Sequence, residues 1–311
     1  MHFQVAPFRF SFRAIDDLYF PVGKSGNVFR GAFGMVLRKL ACYDGCPGAK
    51  VCPDRSRCAY ARLFEPVLDA GPSGLADPPR PFVLRPHLPE GRRLPPGTPL
   101  TLDVHVFDVH GDVLPMIVLT LNQVARAGLG PGRARAELVE VRSIAATGGD
   151  GLLVFSSGRF MSNPLLEPVR IELETMDSIS RIGVEFTGAT ELKAEGAIVS
   201  RPEFWILVSR VRDRVATLDR LYGDATVSFD WKGLATAAES VSIVREQLRY
   251  EYVDRRSSRT GQTHPLGGFM GSVEYAGAIR PFLGLLRAGE WTGVGRQTVW
   301  GQGAYKIVVL E

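Results

Sequence analysis

The sequence predicts an α+β fold of two tandem halves, each a sheet carrying helices. Three observations support that prediction. Alternating strand-like segments and amphipathic helical segments succeed one another through residues 1–147, and a comparable series runs through residues 148–311. A chain of 311 residues has about twice the length of an ordinary domain. With 45% hydrophobic and 23% charged residues, its balance is that of a globular protein with a real core, too apolar for a disordered tail.

The elements follow in order. Residues 3–20 read as a strand that sets Phe8, Phe10 and Phe12 on one face and Arg9, Ser11 and Arg13 on the other. After a turn at Gly23, Gly26 and Asn27, the spacing of Val28, Ala32, Met35, Val36 and Leu40 predicts a helix over 28–40. Residues 41–99 differ in texture. They hold all four cysteines of the chain and then a run dense in Pro and Gly, and they read as a largely irregular insertion hiding one strand. From Leu100 the pattern alternates again, with Leu100, Leu102, Val104, Val106 and Asp108 on one side. His105 on the other side is assigned to solvent. A helix over 115–126 ends at the glycine-rich GLGPG, and ARAELVEVRSI is a strand. With the hidden strand counted, this is the split βαβ, ferredoxin-like (RRM-like) order.

The second half opens with a connection over 148–159 that has strand character at 152–155, followed by the strand PVRIELET. Residues 189–200 read as strand or loop. The clearest helix in the chain spans 202–222, with the stripe Phe204, Leu207, Val208, Val211, Val215 and Leu218 and a proline in its first turn. Strands over 242–252 and 269–275, a helix over 279–288 and a strand over 304–310 complete a second ferredoxin-like half.

The net charge of +4 decides little by itself. Locally it says more: between residues 255 and 306, Arg255, Arg256, Arg259, Arg280, Arg287, Arg296 and Lys306 face only Glu274 and Glu290. Arg binds phosphate bidentately and stacks on bases, so this excess suits nucleic acid, although a codon bias towards Arg would produce it too. The longest apolar runs fall well short of the roughly 18 residues of a membrane span. The start MHFQVAPFRF has neither the basic stretch nor the apolar stretch of a signal peptide, so the expected location is the cytoplasm.

Two constellations point to chemistry. Cys42, Cys46, Cys52 and Cys58 lie within 17 residues. In a reducing compartment a disulfide is disfavoured, and four thiolates close a tetrahedral structural zinc site; the alternative is free or redox-active thiols. Such a closed site would pin a loop too rich in Gly and Pro to fold on apolar burial. The second is GEWTGVGRQTVWGQGAYKIVVL, with Gly293, Gly295, Gly301 and Gly303 directly before a strand. Glycines let a backbone approach phosphate closely, but they equally make tight turns at a hairpin end. The known nucleotide-binding patterns do not fit this context.

The segments HPLGGFMGSVEYAG and IRPFLGLLRAGEWTGVGRQTVWGQGAYKI resemble the C-terminal half of the CRISPR-associated RAMP endoribonucleases that process precursor CRISPR RNA. Gly293, Gly295, Gly301 and Gly303 stand at that superfamily's motif glycines. FRGAFGMVLRKL, the Cys-bearing insertion leading to YARLFEP, and LNQVARAGLGPGRARAELVEV resemble the family as well, so the likeness covers most of the chain. It implies two tandem ferredoxin-like domains, CRISPR repeat RNA as partner, association with other Cas effector subunits, and RNA cleavage without metal. In that reaction the ribose 2′-OH attacks the adjacent phosphate and leaves a 2′,3′-cyclic phosphate and a 5′-OH end. A base, an acid and a cation are required.

The sequence departs from the family pattern in its histidines. Residues 24–60 contain none, although many members carry the base near the first helix; Tyr43, Lys39 and Arg38 are the candidates there. The position before the glycine loop, often His in relatives, is Thr292. His2 is terminal, His87 lies in the insertion and His110 is beside a turn. His264, in the basic loop RRSSRTGQTH, is the remaining candidate base, with an RNA contact or a plain loop residue as alternatives. Arg255, Arg256, Arg259 and Arg296 are the candidate phosphate contacts. Arg38 belongs with them or with an ordinary solvated helix face. Tyr250 and Tyr252 would stack a base or pack on the sheet. Three functions stay open: a repeat-cleaving endoribonuclease, a non-catalytic CRISPR RNA-binding subunit, and a zinc-dependent interaction protein.

Overall fold

The computed structural model describes residues 1–68, 77–161, 166–174, 178–252, 254–256, 263–265 and 267–311, with Trp231, 254–256 and 263–265 described by their backbone alone. The chain divides into two units, Val5–Val169 and Met1–Gln4 with Arg170–Glu311.

The aromatic alternation of the first strand builds the first core. β1 (His2–Ala14) turns Phe8, Phe10 and Phe12 inward and buries all three. β2 (Leu18–Tyr19), α1 (Ser25–Ala41), α2 (Ala59–Leu63), β3 (Phe82–His87), β4 (Arg93–Leu94), β5 (Pro99–Val106), α3 (Leu114–Ala127), β6 (Ala136–Ile144), β7 (Asp150–Ser156) and β8 (Arg159–Phe160) follow. The sheet runs β3-β5-β1-β6-β7-β8. Its first four strands, with α1 and α3, have the antiparallel ferredoxin-like order.

The strand hidden in the insertion is β3. It pairs Phe82–His87 with Val106–Thr101 of β5 and buries Phe82, Val83 and Leu84. The buried stripe of α1 is not the one its spacing suggested. Phe29, Phe33, Val36 and Leu37 face the core, while Met35 is 54% exposed and Leu40 is exposed as well. The same helical period allows either stripe, and aromatic partners decide between them: Phe29 stacks on Phe20 at 5.7 Å and Phe33 meets Phe82 at 5.3 Å. His105 is also corrected. It lies between Pro7 and Val83 on the neighbouring strands and is only 6% exposed. The expected break at 147/148 falls before β7 and β8, which extend the first sheet beyond β6.

The second unit contains β9 (Val169–Glu172), β10 (Arg181–Thr190), β11 (Leu192–Ala194), β12 (Ala197–Val199), α4 (Phe204–Tyr222) and α5 (Trp231–Glu239). After these come β13 (Ser242–Glu251), β14 (Asp254–Arg256), β15 (Thr263–Pro265), β16 (Gly268–Ala276), α6 (Arg280–Thr292) and β17 (Tyr305–Val309). The chain start joins this unit, the Leu173 N–H donating to Met1 O at 3.0 Å. The sheet order β13-β16-β10-β17, with α4 and α6, is again ferredoxin-like. The sequence reading overlooked β10, although Ile182, Val184 and Phe186 alternate and are buried. Gly183 and Gly188 weaken its strand signature, and pairing on both sides makes it an inner strand nonetheless. The α4 stripe of Phe204, Leu207, Val208, Val211, Val215 and Leu218 is buried as its spacing demands. No described helix is long and apolar enough to cross a membrane.

Candidate nucleic-acid interface

The glycine-rich loop links α6 to β17, and its glycines serve the backbone first. Gly293, Gly295, Gly301 and Gly303 all have positive φ, between 69° and 82°, and Gln297 joins them at 62°. Only glycine adopts this region without strain. A Cβ on Gly303 would run into the Val294 carbonyl, and one on Gly295 into the Glu191 carbonyl. The N–H of Val294 donates to Gly303 O, that of Gly303 to Ala189 O, and that of Gly301 to Thr298 O, at 2.9, 2.9 and 3.0 Å. These donors are committed to the loop's own fold. These three N–H groups are therefore not open to a ligand.

Arg296 is the charged side chain the loop presents. Its Nη1 donates to Glu191 Oε1 at 2.6 Å and its N–H to Glu191 O at 3.2 Å. Glu191 is 7% exposed, so its carboxylate works as an anchor beneath a half-exposed guanidinium. Thr292, at the position before the glycines, is fully buried. Its Oγ1 donates to Gly293 O, and its own carbonyl accepts from Arg214 Nε at 2.9 Å.

The basic hairpin sits at the same end of this sheet. Glu251 of β13 pairs with Gly268 of β16, and Thr190 of β10 pairs with Phe269, so the ends of three strands meet beside Glu191. Beyond them β14 and β15 continue the ribbon, with Arg255 opposite His264 and Arg256 opposite Thr263. Arg259 lies outside the described residues. At the ribbon's base the rings of Tyr250 and Tyr252 stand 4.6 Å apart, with Tyr252 86% exposed. Burial, then the charge of Glu191, pushes the Tyr250 hydroxyl up. Sequence reasoning singled out Arg296 and the tyrosines but missed Glu191 and Arg214. No local pattern marks these two, since each acts on a residue far away in sequence.

The other candidates gather in the first unit, where α1 ends. Arg38 and Lys39 are exposed in its last turn and Tyr43 is exposed just beyond. The four thiols are free and adjoin one another in sequence: Cys58 touches Cys42, Cys42 touches Cys46, and Cys46 touches Cys52. Burial, then the neighbouring Cys58 and Cys46, pushes the Cys42 thiol up to about 11. Cys46 is held below the usual thiol value by the Gly48 N–H, by hydrogen bonds with Cys52 and Cys42, and by the charge of Arg38, against its own desolvation. Among the described residues no group of three or more His, Cys, Asp or Glu is gathered to hold a metal ion.

Two ferredoxin-like units in one chain, the second closed by a glycine-rich loop, define a RAMP-type protein. Residues 3–166 match the family model described as the AF_1859_N N-terminal domain, and residues 184–305 match the model of the CRISPR-associated endoribonuclease Cas6. The chain belongs to the family defined by the AF_1859_N N-terminal domain, and its C-terminal part is a domain of the CRISPR-associated Cas6 endoribonuclease type. An uncharacterized protein of Archaeoglobus fulgidus is 29% identical over 290 residues, 91% of each chain. Among solved structures, Thermus thermophilus Cas6 (TTHB231) is similar with a TM-score of 0.54 and 15% identity, over 98% of this chain and 99% of that one. A Cas6 (TTHB231) product complex gives 0.56 and 16%, over 99% of each. A partial Cas6-RT-Cas1–Cas2 complex gives 0.56 and 11%, over 99% of this chain and 46% of that one. At these identities the structural likeness is one of fold.

Proposed function

We propose that the chain binds CRISPR repeat RNA and cuts it without metal, the ribose 2′-OH attacking the adjacent phosphate to leave 2′,3′-cyclic phosphate and 5′-OH ends. The observation that supports this most is the meeting of the basic hairpin, the tyrosine pair and Arg296 at one end of the second sheet. There, Arg255, Arg256 and Arg296 offer the positive charge a phosphate backbone needs, and Tyr252 offers a stacking face; Arg259, outside the described residues, is the further candidate phosphate contact. His264 is the general base in this reading, taking the 2′-OH proton. Tyr43 and Lys39, with Arg38 beside them, are the alternative acid–base groups of the first unit. The glycines at 293, 295, 301 and 303 shape the loop that aims Arg296. Other Cas subunits are the expected protein partners.

In the same reading, Cys42, Cys46, Cys52 and Cys58 hold one structural zinc, because their thiols already adjoin in pairs between the end of α1 and the start of α2. Four thiolates leave no open position for catalysis, so the ion would be architectural.

The test is cleavage of labelled repeat RNA in EDTA by wild type, His264→Ala, Tyr43→Phe and Lys39→Ala, with a 2′-deoxy scissile nucleotide as control. Wild type should cut the ribose substrate and not the deoxy one. His264→Ala should be slowed about 100-fold or more, the ordinary contribution of a positioned base. A second reading, a holder of CRISPR RNA that does not cut, is favoured by one observation: residues 24–60 carry no histidine. Tight binding without cleavage would establish that reading and sink the first.

A further inference from the structure

The first unit has a basic cavity that the proposed reaction does not use. β2 and β4 form a two-stranded ribbon in which Leu18 faces Leu94 and Tyr19 faces Arg93. The leucines are buried and pin one side of the ribbon. Directly opposed residues share a face of their ribbon, so Tyr19 and Arg93 stand together on the exposed side. Both line a cavity of about 320 Å³, with Arg92, Asp17, Leu129 and Gly132.

The far wall is the GLGPGR turn that ends α3. Leu129 and Ala134 exchange backbone hydrogen bonds of 2.8 and 3.0 Å, and the Arg133 N–H donates to Gly130 O at 3.1 Å. The turn rests on β2, since a Cβ on Gly130 would stand 2.6 Å from Tyr19 O. It holds Arg133 at φ 48°, an uncommon conformation for a residue with a side chain, and leaves it exposed at the rim.

What marks the cavity is that open arginines gather at it. Elsewhere in this unit Arg9, Arg62, Arg80, Arg135 and Arg142 each meet a carboxylate within 3.1 Å, whereas Arg13, Arg38, Arg57, Arg126 and Arg159 stand singly without one among the described residues. The side chains of Arg92 and Arg93, which line the cavity, and of Arg133, between the lining residues Gly132 and Ala134, make no hydrogen bond or ion pair with any other described residue. Asp17 is the one acidic residue lining the cavity, and it too is unpaired among the described residues. Three open guanidinium groups suit phosphate oxygens, an exposed tyrosine ring suits a base, and one carboxylate accepts from a ribose hydroxyl or a base N–H.

We propose that this cavity takes a ribonucleoside phosphate, as one nucleotide of the bound RNA, with its phosphate on Arg92, Arg93 and Arg133 and its base against Tyr19. The cavity has room for about one nucleotide, at the small end of ligand pockets. The proposal rests on the reading that the chain binds repeat RNA.

The experiment is titration of labelled repeat RNA with the full chain across salt concentrations. It compares wild type, Arg92→Ala/Arg93→Ala, Tyr19→Ala and, as an independent comparator, Arg255→Ala/Arg256→Ala. Binding of uridine and adenosine monophosphate to wild type is measured alongside. The Arg92/Arg93 variant should bind at least about tenfold more weakly, with the slope of log affinity against log salt shallower by about 1.4, the value for two lost contacts on a single strand. Tyr19→Ala should lose roughly fivefold or more and keep the slope, because stacking releases no counterions. Wild-type affinity and slope in both cavity variants, with the Arg255/Arg256 variant weakened, would overturn the cavity and leave the RNA reading standing. No binding of RNA by wild type would overturn both. Tight binding of a monophosphate that the cavity variants abolish, with RNA binding untouched, would overturn the RNA assignment in favour of a free nucleotide. All four substituted residues of the two cavity and comparator arginine pairs and Tyr19 can be checked for folding by far-UV circular dichroism before titration.

Discussion

Asp103 shows how one side chain organises the face of the first sheet turned away from its helices. Its two oxygens accept from Arg9 Nε at 2.8 Å and Nη2 at 2.9 Å, while Oδ2 also lies 3.0 Å from His87 Nε2. Burial alone would raise its pKa. The hydrogen bonds and charges of Arg9 and His87 overcome that and hold the carboxyl at about 2. A depressed carboxyl contributes stability that is complete above its unfolded value near 4 and is lost as pH falls from there towards 2. The size of the shift corresponds to about 2 kcal/mol. Asp103→Asn should therefore lower unfolding free energy by about that amount at pH 7, and its deficit should shrink between pH 5 and pH 3. Urea unfolding at three pH values measures this, and a deficit independent of pH would refute the account. The same residue explains His87, which the sequence left in an irregular insertion. Arg9, Asp103 and His87 come from strands adjacent only in the folded sheet, so their spacing along the chain carries no signal.

At the scale of elements, the glycine loop and the hairpin divide the work between shape and charge. The loop is built by left-handed glycines and by N–H groups donated inward, so its rigidity depends on residues that never meet a ligand. Gly303→Ala places a Cβ against the Val294 carbonyl at φ 69° and should destabilise the protein by about 1–3 kcal/mol. It should also weaken RNA binding by misplacing Arg296. Thermal unfolding followed with binding at a temperature where the variant is folded separates the two effects; full affinity in a destabilised variant would show that the loop only stabilises. Helical elements were the easier reading. The α4 stripe repeats its apolar residues over about four turns, and one buried face satisfies it. In α1 two stripes competed, and the aromatic rings of Phe20, just past β2, and Phe82 of β3 chose between them.

For the whole molecule, architecture and chemistry separate under a chelator. If the four cysteines hold zinc, the purified chain should carry about one zinc ion per molecule by elemental analysis. Removing it with EDTA should lower the melting temperature by several degrees, since binding energy at a structural site is folding energy. Cleavage below that lower melting temperature should persist, because no step of the proposed reaction runs through the ion. Zinc-free protein with unchanged stability after EDTA would refute the zinc reading and leave the thiols as ordinary free cysteines.

Most of the order of strands and helices, β10 excepted, was legible in the sequence itself, because alternation with period two and stripes with period 3.6 are local consequences of how each backbone presents its side chains. The glycine-rich loop and the basic hairpin were marked there too, since both depend on residue types that stand together in the chain. Tertiary structure alone decided which strand lies inside each sheet, as with β10 between β16 and β17, and whether a polar residue such as His105 is buried. It also decided which arginines are spent on carboxylates and which stay open around a cavity. These are properties of pairs of residues brought together from distant parts of the chain, and a pair has no spacing to read until the chain has folded.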